Sequence, residues 1–279
     1  MSDTVRRLLY RAVSSKVQSR IAGRISDAKL PTPVLERLID LWVAHFGVNL
    51  DEAIIPPCGF QSFNDFFTRR LKTDARDFPA DTCVMASPCD GMVQTAGAIS
   101  GGMVFQAKGI EYRLADLLAD SGEAARFEQG HFLTIYLNPG DYHRVHFPIA
   151  AEVRKVRHIP GGLLSVAPRV VELFNEVFGT NERVTGLLES DNGMVGMVMV
   201  GATTVGRISL SFSDVVTNKG KAHGICVFGP PLRRLRGDDY GAFNLGSTVI
   251  VLVEKDRWVP VHPGVGQKIR LGQAIFEPK

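Results

Sequence analysis

The spacing of apolar residues changes period near residue 82, and this limits the fold more than any other feature of the chain. Before that point the apolar positions recur every three to four residues. After it they form short β-branched runs cut by glycine, as in "VMASPCDGMVQTAG", "HFLTIYLNPGDYHRVHFP", "AEVRKVRHIPGG", "MVGMVMVGATTVGRISL", "KAHGICVFG" and "STVIVLVEKD". The first pattern is that of amphipathic helices and the second that of strands joined by tight turns. The expected class is therefore α+β: a β-rich, sandwich-like or hybrid-motif body preceded by N-terminal amphipathic helices. Helical interruptions are expected at "YRLADLLAD" and "APRVVELFNEVFG".

Three helices are read in the first part. In "TVRRLLYRAVSSKVQSRIAGR" the residues Val5, Leu8, Leu9, Ala12, Val13, Val17 and Ile21 make an apolar stripe, with arginines and lysine on the remainder and almost no acid. A basic amphipathic helix of this kind suits the surface of an anionic bilayer. A helix packed on its own domain and an import presequence are the competing readings. The second helix starts at Thr32 as N-cap with Pro33 behind it, carries Leu35, Leu38, Ile39, Trp42, Val43 and Phe46 on one side, and ends at Gly47. The third is capped by Ser62 and clusters Phe63, Phe66 and Phe67, with core packing the default reading and lipid contact the sharper one.

Composition excludes several classes. A net charge of +3 is too small to argue for nucleic-acid binding by the whole molecule. No apolar run reaches the roughly 18 residues of a membrane span, and no signal-peptide core is present. The four cysteines, Cys58, Cys83, Cys89 and Cys226, contain no C-x-x-C pair, so they read as free thiols in a reducing compartment rather than as metal ligands.

Four polar residues stand in strand-like surroundings. Asp90 lies in the corner "SPCDGMV", His143 and His146 flank Arg144 in "NPGDYHRVHFP", and Ser247 opens an apolar strand in "FNLGSTVIVLVE". Ser, His and Asp together can make an activated nucleophile. Gly246-Ser247-Thr248 lacks the second glycine of a nucleophile elbow, which argues against an ordinary serine hydrolase. A self-directed attack fits better: the Ser247 hydroxyl adds to the carbonyl of Gly246, where no Cβ crowds the tetrahedral centre. The resulting ester, cut by β-elimination, leaves a pyruvoyl group at residue 247, a ketone able to form a Schiff base with an amine and draw electrons from it.

At this point the chain resembles the phosphatidylserine decarboxylase family, in its pyruvoyl-dependent prokaryotic short form. "FNDFFTRRL" with Arg76 beyond it, "SPCDG", "YHRVHFP", "IPGGLLSV", "NERV", "VGATTVG", "KGKAHGICVFG" and "FNLGSTVI" occur in family order over nearly the whole length. The resemblance implies cleavage between Gly246 and Ser247 into a β chain (1–246) and an α chain (247–279). It also implies a maturation triad of Asp90, His146 and Ser247, and a role for His143 in decarboxylation. The implied reaction turns phosphatidylserine into phosphatidylethanolamine and carbon dioxide, with the self-made pyruvoyl as cofactor and no metal or pyridoxal phosphate. It further implies a peripheral protein on the cytoplasmic face of the cell membrane, docked through its N-terminal helices and pairing as a homodimer of processed units. The helical region is placed at residues 1–75 and the catalytic domain at 76–279. The Gly161-Gly162 turn, with an arginine nearby, is the expected contact for the headgroup phosphate. Two alternatives stay open: a pyruvoyl enzyme acting on a soluble amino acid, and a noncatalytic β-sandwich carrier suggested by "GQKIRLGQAI".

Overall fold

A computed structural model describes residues 16–107, 110–203, 207–218, 224–244 and 247–279. Its centre is an eight-stranded antiparallel sheet. In spatial order the strands are Ile225–Arg234, Ala151–Ile159, Arg183–Ser190, Gly193–Gly201, Ser247–Val253, His131–Leu137, Gly91–Ala98 and Lys268–Ile269. A three-stranded sheet of Ile208–Leu210, Asp239–Phe243 and Arg144–His146 accompanies it. Another joins Trp258–Pro260, Ala274–Pro278 and Met85–Ala86. The class is the α+β, strand-rich one expected from the period change.

All seven residues of Ser247–Val253 are buried because the sheet is covered on both faces. Successive side chains of a strand point to opposite faces. Val249, Val251 and Val253 enter one core with Val145, Phe147 and Tyr240, while Ile250 and Leu252 enter a second with Tyr112, Phe127 and Phe178. This explains why the strand reads as continuously apolar instead of alternating: neither face meets water. Burying each such side chain stabilises by about 1.5–3 kcal/mol before conformational entropy is subtracted.

Of the N-terminal helix, Lys16–Asp27 is described, and the expectations for Val5, Leu8, Leu9, Ala12 and Val13 lie outside the described residues. The second helix is Thr32–Phe46, with Pro31 rather than Thr32 at the cap and no side-chain cap bond. The two prolines settle this, since Pro31 and Pro33 hold the backbone entry without needing the Thr32 hydroxyl. Gly47 ends the helix at φ 67° in the left-handed region, returning its N–H to the Val43 carbonyl. Ser62 caps Phe63–Phe67 by accepting from Asp65 N–H at 3.1 Å. Phe63, Phe66 and Phe67 are buried with Leu35 and Ile39, so the lipid-contact reading of these aromatics is corrected: they are the core of the helical part. Among the described residues no helix is long and apolar enough to cross a membrane.

The helical part packs directly on the turn before the histidines. Trp42 Nε1 donates to Pro139 O at 3.2 Å, Arg69 donates to Gly140 O at 3.4 Å, and the Phe67 ring lies 4.1 Å from the His143 ring. A Cβ on Gly140 would come within 2.7 Å of Phe46 O, so this close approach requires glycine.

Candidate active site

Ser247 is the first residue of its strand, paired with Leu137 on one side and Gly201 on the other. It shares a face with Val249 and Val251, and so looks toward the core that holds Val145, Tyr240 and Phe243. It is 0% exposed, and its Oγ has no hydrogen-bond partner. A buried hydroxyl without a partner costs about 1–3 kcal/mol, which marks this atom for explanation. Gly246 lies outside the described residues.

The histidines reach the same region by sheet pairing. Arg144–His146 runs antiparallel to Asp239–Phe243, the strand that leads into the Gly246-Ser247 junction, and Phe243 N–H donates to His143 O at 2.9 Å. His143 is fully buried. Its Nδ1 donates to Asp141 O at 2.8 Å, and its Nε2 has no partner. Burial pushes its pKa down to about 3, against the opposing pull of the Asp141 carbonyl, so the ring is neutral with an open lone pair on Nε2.

His146 is held at both nitrogens. Nδ1 donates to Gly237 O at 2.8 Å, which fixes the lone pair on Nε2, and the Tyr142 hydroxyl lies 3.0 Å from that atom. Burial keeps the Tyr142 phenol protonated, so it is the donor in this contact. Burial also lowers the His146 pKa below its ordinary value, opposed by the Gly237 carbonyl and by Asp239.

Asp90 sits nearby but is engaged elsewhere. Arg76 grips it at both oxygens, Nε to Oδ1 at 3.0 Å and Nη2 to Oδ2 at 2.5 Å, and Leu271 N–H donates to Oδ1 at 2.8 Å. Arg76 Nη1 also donates to Glu52 at 2.6 Å. Asp90 and His146 make no hydrogen bond to each other. What joins their segments is the backbone: His146 N–H donates to Pro88 O at 2.8 Å. Asp90 thus acts on His146 through its charge and through the corner it stabilises.

The Gly161-Gly162 turn is clamped from below. A Cβ on Gly161 would lie 2.4 Å from Thr180 O, and Gly162 N–H is spent on Thr180 O at 2.8 Å. A headgroup anion would therefore have to be met by Gly161 alone of that pair. Asn181 locks Leu164, two residues past the turn: its side chain pairs with both Leu164 N–H and Leu164 O, and donates to Gly201 O at 2.8 Å. Gly201 is the strand partner of Ser247, so one buried amide ties the turn to the strand beside Ser247. Residue-by-residue reading found neither Asn181 nor Tyr142, although "NERV" and "YHRVHFP" contain them. No group of three or more His, Cys, Asp or Glu that could hold a metal ion occurs among the described residues.

A family model described as phosphatidylserine decarboxylase matches residues 63–277. The chain is 39% identical over 268 residues to a phosphatidylserine decarboxylase proenzyme of Bordetella pertussis, covering 93% of this chain and 90% of that one. It is 40% identical over 265 residues to the proenzyme of that name from Azotobacter vinelandii, covering 92% of each. It is 37% identical over 285 residues to that of a Shewanella species, covering 98% and 97%.

Proposed function

The chain belongs to the phosphatidylserine decarboxylase family, an enzyme that converts phosphatidylserine to phosphatidylethanolamine and carbon dioxide, and from that premise we propose that it arms itself by cutting its own backbone between Gly246 and Ser247. The observation that carries this is the Ser247 hydroxyl, buried and unpartnered at the head of a wholly buried strand. The Thr248 hydroxyl beside it is also buried without a partner, so what sets Ser247 apart is its place directly after Gly246, on the strand face that looks toward Val145 and Phe243.

In this reading Nε2 of His146 takes the Ser247 proton as Oγ bonds to the Gly246 carbonyl carbon. The carbon–nitrogen bond breaks, the nitrogen receives the proton, and an ester replaces the amide. Loss of the Ser247 α-proton with departure of the Gly246 carboxylate ends the β chain at 246. One water then releases ammonia from residue 247. Tyr142, which now donates to His146 Nε2, has to yield that position to Ser247. The pyruvoyl left at 247 supplies a ketone that takes up the substrate amine and withdraws electrons from its α-carbon. The strand Ser247–Val253, paired on both sides, holds the new chain end in place.

For turnover, the open Nε2 of neutral His143 receives a proton from the incoming ammonium and returns it to the α-carbon after carbon dioxide leaves. Its burial supports this, since a dry pocket favours loss of the carboxylate and requires a placed proton donor. Gly161 and the nearby turn remain the candidate contact for the headgroup phosphate. Residues 1–75 form the membrane-apposed part in this reading and 76–279 the catalytic part. Support comes from Ile21, Ile25, Val34, Leu38 and Leu41, which are exposed on two helices, the second of which backs onto the histidine turn through Trp42. The expected surface is an anionic bilayer on the cytoplasmic face. The open edge strand Ile225–Arg234, with Ile225 and Val227 exposed, is where two processed units could pair as a homodimer.

Variants of the three residues test the roles. Asp90→Asn and His146→Ala should remain full length on a denaturing gel. His143→Ala should split normally yet release little carbon dioxide from phosphatidylserine. Normal splitting of His146→Ala, or full turnover by His143→Ala, would remove the corresponding role.

A further inference from the structure

We propose that Asp239 is a positioning residue for maturation, supplying the negative charge that stabilises His146 as it takes the Ser247 proton, and that Arg144 moderates that charge. This rests on the reading of His146 as the maturation base.

The geometry comes first. Asp239 stands directly across the ladder from His146 in the three-stranded sheet. Val145 and Tyr240, which lie between the two ends of that pairing, turn into the core, and Asp239 stays on the other face with Arg144, to which it is ion-paired. Arg144 engages Oδ2, and Arg70 lies 3.7 Å from the same oxygen. Oδ1 is buried and has no hydrogen-bond partner. A half-engaged carboxylate oxygen out of water is costly, and that cost falls when a positive charge forms beside it.

The groups around His146 come from four elements. Tyr142 and the Gly237 carbonyl hold its nitrogens, Arg144 shares its strand, Asp239 faces it across the ladder, and Asp90 lies in the corner that bonds its backbone. Of the two carboxylates, Asp90 is closed off by a two-oxygen grip from Arg76 and by Leu271. Asp239 has Arg144 and Arg70 at Oδ2 but keeps Oδ1 without a hydrogen bond, whereas both oxygens of Asp90 are engaged. The Asp239 charge acts to raise the affinity of His146 for a proton more than that of Asp90 does, and Arg144 acts to lower it.

The sign of each effect follows. A base accepts a proton only when unprotonated, so cleavage rises with pH through the His146 pKa. Removing the Asp239 charge lowers that pKa, moves the rising limb to lower pH, and weakens the base. Removing the Arg144 charge does the opposite.

The experiment follows cleavage of full-length precursor, made by cell-free synthesis and transferred into buffers from acid to mildly alkaline pH. Asp239→Asn should move the rising limb to lower pH and slow the plateau several-fold. Asp239→Glu, which keeps the charge, should restore both. Arg144→Gln should move the limb to higher pH. A merely structural ion pair would make both partners' variants slower with the limb unmoved. That result, or shifts in the same direction, overturns the inference. Should Asp239→Asn fail to fold, Arg144→Gln alone decides, and a null or downward shift overturns it. If His146→Ala precursor still cuts, the base assignment itself falls. If it stays whole while Asp239→Asn keeps the wild-type limb, only the role of Asp239 falls.

Discussion

Arg76 offers the most quantitative test of how the helical part supports the chemistry. Its side chain is 8% exposed and that of Asp90 is 12% exposed. Two of its hydrogen bonds go to Asp90, and a third reaches Glu52 in the segment before the third helix. Burial works against the guanidinium charge, but Asp90 and then Glu52 more than compensate and hold the proton tighter than in free arginine. Replacing Arg76 with Gln keeps much of the volume and removes the charge. Removing one member of a buried pair typically costs 3–5 kcal/mol because the other is left uncompensated, and about 3 kcal/mol is expected here. The lower end applies because Leu271 N–H still holds Asp90 Oδ1 at 2.8 Å and Glu52 is partly open to water. The assay is a double-mutant cycle by urea unfolding with Asp90→Asn, all in a Ser247→Ala background so that no chain is cut. The double variant should recover about 2 kcal/mol relative to the sum of the singles. Additivity within about 0.5 kcal/mol would refute the reasoning, because the two groups would then not be acting on one another.

Three further expectations follow from single residues. The lowered pKa of His143 means the folded state resists protonation, so wild type should lose stability as pH falls from 6.5 toward about 3. Mature His143→Gln should lack that part of the loss, about 1.4 kcal/mol per pH unit within the window, measured by urea unfolding at stepped pH; parallel curves would contradict it. Gly161→Ala brings a Cβ to 2.4 Å from Thr180 O and 2.5 Å from Asn181 C, both backbone, and should cost about 3 kcal/mol. Gly47→Ala, at φ 67° with open space around its Cβ, should cost only about 1 kcal/mol, and thermal denaturation should rank them in that order. Leu41→Asp changes an exposed residue of an apolar trough that also includes Leu38 and Trp42. It should reduce co-sedimentation with phosphatidylserine-containing vesicles several-fold while leaving cleavage complete; unchanged sedimentation would place the membrane contact elsewhere.

Local signals were legible where one short segment decides the outcome. The Gly47 stop, the Ser62 cap and the buried Ser247–Val253 strand each follow from neighbours in sequence. The short helix Ser121–Phe127, capped by Asp120, was missed because Gly122 and its length leave almost no periodicity to read. The edge of the Thr32–Phe46 helix was displaced by one residue because two prolines compete for the same entry. The site was legible as residue types, not as pairings. Asp90 and His146 were expected to touch, yet Asp90 takes Arg76 and His146 takes Gly237 and Tyr142. Gly237 and Asp239 lie some ninety residues further along the chain from His146, and they arrive beside it only because Asp239–Phe243 pairs with Arg144–His146. No local pattern encodes that register. The open state of Ser247 Oγ is likewise a property of the packed core alone.

The central claim is that residue 247 ceases to be a serine. Intact-mass spectrometry of the purified, active enzyme tests it most directly. Two chains are expected, one ending at Gly246 and a short one spanning 247–279 that is lighter than the serine-initiated peptide by one ammonia and lacks a free amino terminus. An active preparation with a single uncut chain, or with a short chain of the full serine mass, would contradict the account.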